Sequence, residues 1–110
     1  MSPLELHVLL ALARGPLYGY AIKSAIEEDS AGAHRPGAGS LYRLIARLIG
    51  AGLVAETAPP EDAEPHPGLA RRYYRLTAAG EQALGDETYR LRQVAALAAE
   101  RLGLTGEDGR

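Results

Sequence analysis

Residues 39–54, GSLYRLIARLIGAGLV, carry the clearest periodic pattern in the chain. Four large apolar residues in this segment follow the i, i+3, i+4, i+7 spacing that places side chains on one face of a helix. They are Leu41, Leu44, Ile45 and Leu48. Gly50 and Gly52 follow, and glycine suits the left-handed cap that ends many helices. The segment therefore predicts an amphipathic helix whose apolar face must pack on other elements.

Three other segments predict helices from their caps and apolar spacing. The first begins at Ser2, which can act as its N-cap, and ends before Gly15. The second covers residues 19–29, and its apolar positions again recur at helical spacing. The last follows Thr77, a suitable N-cap, and continues to about Leu102.

Two short segments late in the chain predict strands. Residues 53–57 are mostly compatible with a strand, and residues 71–77 alternate in side-chain character. One face of the second strand would carry Arg72, Tyr74 and Leu76, and the other Arg71, Tyr73 and Arg75. Between the strands, residues 58–70 contain four prolines and three acids, which indicates an exposed loop. The two strands therefore predict an antiparallel hairpin with an acidic tip.

The order of elements, helix, helix, helix, strand, strand, helix, is typical of a winged helix-turn-helix protein. We expect a mainly α fold with a small β-hairpin, in a single compact domain. Residues 1–77 would form the winged helix-turn-helix part, and residues 78–110 a long C-terminal dimerisation helix with a frayed tail.

Composition excludes several classes of function. The chain has no cysteine, so disulfides, thiolate zinc sites and cysteine nucleophiles are absent. His7, His34 and His66 are scattered, without the clustering that a metal site requires. No arrangement of serine, histidine and acid, and no glycine-rich phosphate loop, indicates catalysis. We therefore expect no enzyme activity, no metal and no cofactor.

The N-terminal segment and the apolar runs bear on location. The start of the chain, MSPLELHVLL, lacks the basic region of a signal peptide. No apolar run is longer than residues 8–13, which are far fewer than the ~20 residues of a membrane-spanning helix. These features predict a soluble cytoplasmic protein without a membrane partner.

The charges of the chain are segregated, although its net charge is only −2. Residues 33–49 contain three arginines and no acid, and residues 69–76 contain three more, again without an acid. The carboxylates gather elsewhere, including Glu61, Asp62 and Glu64 in the predicted loop. Two basic segments in an acidic chain predict one localised anionic partner.

Arg43 and Arg47 lie one turn apart on a second face of the helix in residues 39–54, which contains no acid. A solvated helix face is the ordinary explanation for surface arginines. However, exposed helices usually mix both signs of charge, and a helix fits the DNA major groove, where arginine bonds guanine or phosphate. We predict that both arginines contact DNA, with the base and phosphate contacts not assigned between them.

Five further residues are candidates for DNA contact. Ser40 and Tyr42, at the front of the same helix, have hydroxyls that suit phosphate oxygens, although packing would also explain Tyr42. Lys23, on the outer face of the second helix, suits the DNA backbone or is an ordinary surface lysine. Arg71 and Arg72 flank the hairpin on opposite faces, so at most one is aimed at DNA. The other can pair with Glu56 across the hairpin.

The last helix has more apolar surface than one neighbouring helix can cover. Packing on the first helix explains part of this surface, and a two-fold homodimer explains the rest. Such a dimer would place two recognition helices one DNA turn, ~34 Å, apart on a palindromic site. The predicted interface residues are Leu4, Val8, Leu84, Leu91, Val94, Ala98 and Leu102.

Four motifs occur together in a fixed order and cover most of the chain. They are LYGYAI at 17–22, GSLYRLIARL at 39–48, GAGLV at 50–54 and RRYYRLTAAG at 71–80. Together they resemble the PadR family of bacterial transcriptional regulators, and the single C-terminal helix resembles its short-chain subgroup. The resemblance implies a DNA-binding repressor that dimerises through its first and last helices, often with operator release by a small effector.

Two positions and the wing depart from the family pattern. Gly37 stands where serine is common, and Arg43 follows the helix tyrosine where proline is common, which adds a donor near the DNA-facing end. The acidic wing tip puts its insertion into a groove in doubt, since carboxylates are repelled by phosphate. The alternative function is therefore a winged-helix protein-interaction adaptor without sequence-specific DNA binding.

Overall fold

The computed structural model describes residues 1–63 and 71–104. Its four helices are α1 (Pro3–Leu12), α2 (Gly19–Asp29), α3 (Ala38–Gly50) and α4 (Ala78–Leu102). Its three strands are β1 (Leu17–Tyr18), β2 (Val54–Thr57) and β3 (Tyr73–Leu76). The predicted mainly α fold with a winged helix-turn-helix order is confirmed.

Helices α1, α2 and α3 pack around one core. The apolar stripe of α3 faces this core as predicted, because each of its four residues is at most 4% exposed. The other large core residues are Val8, Leu9, Leu12, Ile22, Ile26, Val54 and Tyr74. Burying each leucine or isoleucine contributes about 1.5–3 kcal/mol relative to exposure. This burial fixes the rotation of α3 and so determines which of its residues face outward.

The ends of α1 and α3 follow local sequence signals. Ser2 and Glu5 form a capping box, in which each side chain accepts a hydrogen bond from the other residue's backbone N–H. At the end of α3, Gly52 has φ +82°. The N–H groups of Gly52 and Leu53 donate to the carbonyls of Ile49 and Leu48. These two bonds are the Schellman pattern, so the predicted glycine cap is confirmed.

The sheet has three strands, in the order β1-β3-β2, with both pairs antiparallel. The predicted hairpin is the β2–β3 pair, in which Glu56 lies opposite Tyr74. The additional strand β1 pairs Leu17 with Tyr74 and Tyr18 with Tyr73. A two-residue strand has no readable alternation, so the sequence did not predict it.

Alternation places Tyr73 and Tyr74 on opposite faces of β3, yet neither face leaves its tyrosine exposed. Both are buried, at 7% and 5% exposed. Tyr74 faces the helical core. Tyr73 is covered on the other face by Tyr18, whose ring lies edge-on at 5.6 Å between centroids. The central strand is therefore covered on both faces, because β1 brings an aromatic side chain with it.

Helix α4 begins where predicted. The Thr77 hydroxyl accepts a hydrogen bond from the N–H of Gly80 at 2.9 Å and donates to the carbonyl of Gly52 at 2.6 Å. Gly80 is buried against the carbonyl of Leu53, a closeness that leaves no room for a side chain. Gly103 ends the helix in the left-handed conformation. The cap therefore ties α4 to the loop after α3.

The proposed division of the chain at residue 77 stays a prediction, as does the tail, whose residues 105–110 lie outside the described part. Helix α4 packs on α1 and β3. None of the helices within residues 1–63 and 71–104 has the length and apolarity needed to cross a membrane.

Candidate nucleic-acid interface

The outer face of α3 carries the four residues that the sequence singled out there. Ser40, Tyr42, Arg43 and Arg47 are all exposed. The hydroxyl end of Tyr42 packs against Gly19, the first residue of α2, yet 49% of the residue stays exposed. Tyr42 therefore packs on α2 and keeps an accessible surface, and its contact with DNA stays a prediction.

The two arginines of α3 have different neighbours. Arg43 donates through Nη2 to the hydroxyl of Ser40 at 3.4 Å, within its own helix. Arg47 lies 3.8 Å from a carboxylate oxygen of Glu5 in α1, measured from its Nη2. The expectation that both arginines are unpaired is therefore wrong for Arg47, since α1 supplies the acid that α3 lacks. The pair is exposed and long, so it contributes little to stability.

A cleft of about 240 Å³ separates the start of α1 from the outer face of α3. It is lined by Ser2, Leu4, Ser40, Arg43, Leu44 and Arg47. Two hydroxyl-bearing and two guanidinium-bearing residues therefore border one concave surface. The guanidinium group of arginine is well suited to binding phosphate.

Lys23 is already engaged within α2. Its ammonium group lies 2.6 Å from a carboxylate oxygen of Glu27, one turn later. The lysine side chain is 31% exposed, so its contact with DNA stays a prediction and would have to compete with this ion pair.

The wing arginines lie just before β3, which begins at Tyr73, so strand alternation does not determine their directions. Arg71 lies over the ring of Tyr18, with its guanidinium carbon 4.0 Å from the ring centroid. Arg72 is exposed. Glu61 and Asp62 are also exposed, whereas Glu64 lies outside the described residues. The wing is thus basic next to β3 and acidic farther out.

Burial also affects Tyr74, in strand β3 of the hairpin. The pKa of Tyr74 is raised above its ordinary value of 10.0, mainly because burial disfavours the phenolate. Tyr42 and Glu56 nearby raise this pKa further, and Arg72 opposes them. Tyr74 is therefore a neutral core residue.

Two of the three histidines meet, contrary to the expectation that they are scattered. The rings of His7 and His34 lie 5.2 Å apart between centroids, where α1 meets the turn before α3. The Nδ1 atom of His7 is buried without a hydrogen-bond partner. Across residues 1–63 and 71–104, no three potential metal-binding side chains come together. His66 lies outside this part of the chain.

The predicted dimer residues divide into three groups. Leu91, Val94, Ala98 and Leu102 on α4 are exposed. Leu4 and Leu84 are partly buried against the core. Val8 is fully buried within the chain, so it belongs to the core rather than to a surface that a second chain could contact. The error arose because the inner face of α1 is occupied by α2 and α3.

The sequence did not predict that the carboxylate of Glu5 lies beside Arg47. The spacing of Ser2 and Glu5 matches a capping box, which could have placed this carboxylate at the start of α1. No short sequence pattern predicts that α1 lies close to Arg47 of α3. The contact between them depends on how the two helices pack.

A helix-turn-helix with an exposed basic second helix, followed by a small sheet, defines the winged helix-turn-helix class. The chain belongs to the transcriptional regulator PadR-like family, whose family model matches residues 8–86. This is a family of transcriptional regulators and not of enzymes, and the resemblance seen in the sequence motifs is confirmed.

The chain is also similar to individual proteins. An uncharacterized 37.1 kDa protein in transposon Tn4556 of Streptomyces fradiae is 44% identical over 85 residues, which are 77% of this chain and 22% of that protein. The chain thus spans about a fifth of the length of this curated relative. A PadR-like transcription factor structure from Bacteroides fragilis is 28% identical, with a TM-score of 0.69 and coverage of 88% of this chain and 87% of that one.

Two more solved structures share the fold. A PadR-like transcriptional regulator from Bacillus cereus has a TM-score of 0.73 at 22% identity and covers 90% of each chain. Bacillus subtilis PadR, solved in complex with operator DNA, has a TM-score of 0.64 at 24% identity, covering 79% of this chain and 47% of that one. Identities this low support the shared fold alone.

Proposed function

We propose that this chain binds double-stranded DNA as a homodimer and represses transcription at a palindromic operator. The observation that carries the proposal is the outer face of α3, where Ser40, Arg43 and Arg47 are exposed on a helix that contains no acid. A helix of this kind fits the major groove, and arginine is the residue that most often reads guanine there. Such a regulator would act in the cytoplasm, where its operator lies.

Three further features support parts of the proposal. Exposed Leu91, Val94 and Leu102 give α4 an apolar surface that a second chain would cover. A cleft of about 520 Å³ between α4, α1 and β3 offers a place for a small effector. The solved complex of B. subtilis PadR with operator DNA supports the same use of this fold.

Selection of duplexes from a random pool by the purified protein tests DNA binding and palindromy together. We expect a selected sequence with two half-sites about one helical turn apart. Log affinity should fall steeply with log salt concentration, because each phosphate contact releases counterions. A flat salt dependence with no selected sequence would reject the proposal and favour the protein-interaction adaptor.

Arg43→Ala tests the assigned surface within the same experiment. We expect it to weaken binding of the selected duplex, while Arg14→Ala leaves binding nearly unchanged. Arg14 is the matched control because it is also an exposed arginine, and it pairs with Asp29 away from α3. Equal losses in the two variants would mean that the charge of the chain, and not the face of α3, attracts DNA.

A further inference from the structure

The two exposed arginines of α3 are restrained to different degrees. Within residues 1–63 and 71–104, the polar contact of Arg43 is with the neutral hydroxyl of Ser40, one turn earlier in the same helix. Arg47 approaches a carboxylate from another helix, that of Glu5. An exposed arginine beside a neutral hydroxyl can reorient easily, whereas one beside a fixed carboxylate is drawn toward it.

Glu5 is fixed by α1 and not by Arg47. One oxygen of its carboxylate accepts a hydrogen bond from the backbone N–H of Ser2 at 2.8 Å. Its own backbone N–H donates to the Ser2 hydroxyl at 3.2 Å. The side chain of Glu5 is 28% exposed, against 66% for Arg47. The capping box therefore holds the carboxylate in place, and its second oxygen is the one directed at Arg47.

The positions of Arg43 and Arg47 along α3 also favour different roles for them. The N-terminal part of a recognition helix contacts base edges, and Arg43 lies one turn nearer that end than Arg47. Reading a guanine takes two parallel N–H donors, and Arg43 can present both. The guanidinium of Arg47 lies toward the start of α1, with Nη2 3.8 Å from a carboxylate oxygen of Glu5. A phosphate at the edge of the groove can be bound by only some of the N–H donors of Arg47.

We propose that Glu5 is a positioning residue that keeps Arg47 at the edge of the groove as a contact to the DNA backbone, leaving Arg43 as the arginine that reads a base. The cleft between α1 and α3 is where that phosphate would lie, bordered by the hydroxyls of Ser2 and Ser40. This inference rests on the proposed DNA-binding function and assigns the roles of the two arginines within it.

The first test compares the two arginine variants on the selected duplex and on duplexes with single base-pair changes. Arg43→Ala should lose roughly ten- to a hundredfold in affinity for the selected duplex and lose discrimination at one base pair in each half-site. Arg47→Ala should weaken binding to every duplex by one common factor. It should also make the salt slope less steep by about 0.9 for each protomer bound.

The second test uses Glu5→Gln, which keeps the cap, because glutamine also serves in a capping box, but removes the charge. We expect binding to all duplexes to tighten by one common factor, about two- to fivefold, because Glu5 no longer competes with phosphate for the guanidinium of Arg47. This gain should vanish when Arg47 is also replaced by alanine, and should persist when Arg43 is replaced. Glu81→Gln on α4 is the control for removal of one exposed acid.

Each failure has a distinct meaning. If the unmodified protein binds no duplex, the proposed function itself fails. If it binds DNA and Arg47→Ala removes discrimination at a single base pair, the assignment of roles is overturned. If Glu5→Gln and Arg47→Ala have independent effects in the double variant, Glu5 does not act through Arg47, and the positioning role is overturned.

Discussion

Gly80 is the position where the structure makes the sharpest prediction about stability. A Cβ built on this residue overlaps the backbone carbonyl oxygen of Leu53 and lies 3.0 Å from Cδ2 of Leu76. The carbonyl cannot move away freely, because it accepts a hydrogen bond from the N–H of Thr77 at 3.1 Å. Replacing Gly80 with alanine must therefore displace the first turn of α4 or the segment before β2.

Two opposing effects determine the magnitude. Forcing an extra carbon into a closely packed site costs about 1–3 kcal/mol, and a rigid backbone neighbour places this case at the upper end. Alanine in place of glycine within a helix contributes about 1 kcal/mol in the other direction. The expected result for Gly80→Ala is a net loss of about 2 kcal/mol, a large share of the stability of a domain this small.

Gly85→Ala is the matched control in the same helix. Nothing lies within 4 Å of a Cβ built on Gly85, so only the helix-propensity gain of up to about 1 kcal/mol applies. Urea unfolding followed by circular dichroism, at one fixed chain concentration, measures both variants against the parent. If Gly80→Ala were as stable as the parent, the close packing of α4 on Leu53 would not exist in solution.

Two shorter predictions use the same unfolding assay. Thr77→Ala removes the cap of α4 and the hydrogen bond to Gly52, and should cost about 1–2 kcal/mol, whereas Thr77→Ser should recover most of this loss. For Tyr74, burial raises the pKa of the folded state above the ordinary 10.0, so the unfolded chain releases its proton first. The resulting stability is complete below pH 10 and is lost as the pH rises through the folded pKa. The parent should therefore lose stability between pH 9 and 11 more steeply than Tyr74→Phe, and equal slopes would contradict the burial argument.

Local sequence signals were sufficient for the helices and their ends. The stripe on α3 was readable because helical spacing brings residues three and four apart onto one face, whatever the rest of the fold does. The caps at Ser2, Gly52 and Thr77 were readable for a similar reason, since each bond joins residues close in the chain. The sequence therefore predicted the scaffold that presents α3.

The third strand and the buried pair of tyrosines were not readable in the same way. Strand β1 is only two residues long and forms because β3 offers it an edge. Alternation predicts one buried face for a strand that is solvated on the other. Here Tyr18 covers the second face, so Tyr73 is buried as well. The alternation of a two-stranded hairpin could not predict that Tyr18, from a third strand, packs on Tyr73.

The charges of the candidate site show where sequence reasoning reaches its limit. The sequence shows correctly that α3 contains no acid. It does not show which acids other helices place beside the arginines of α3. The packing of α1 across α3 places Glu5 beside Arg47 and leaves Arg43 beside a neutral hydroxyl. Two residues that look equivalent in the sequence are thus made unequal by a contact between helices. Because an arginine that reads a base must present its donors to one nucleotide, whereas an arginine that holds phosphate can share them, this inequality is the structural basis for assigning them different roles.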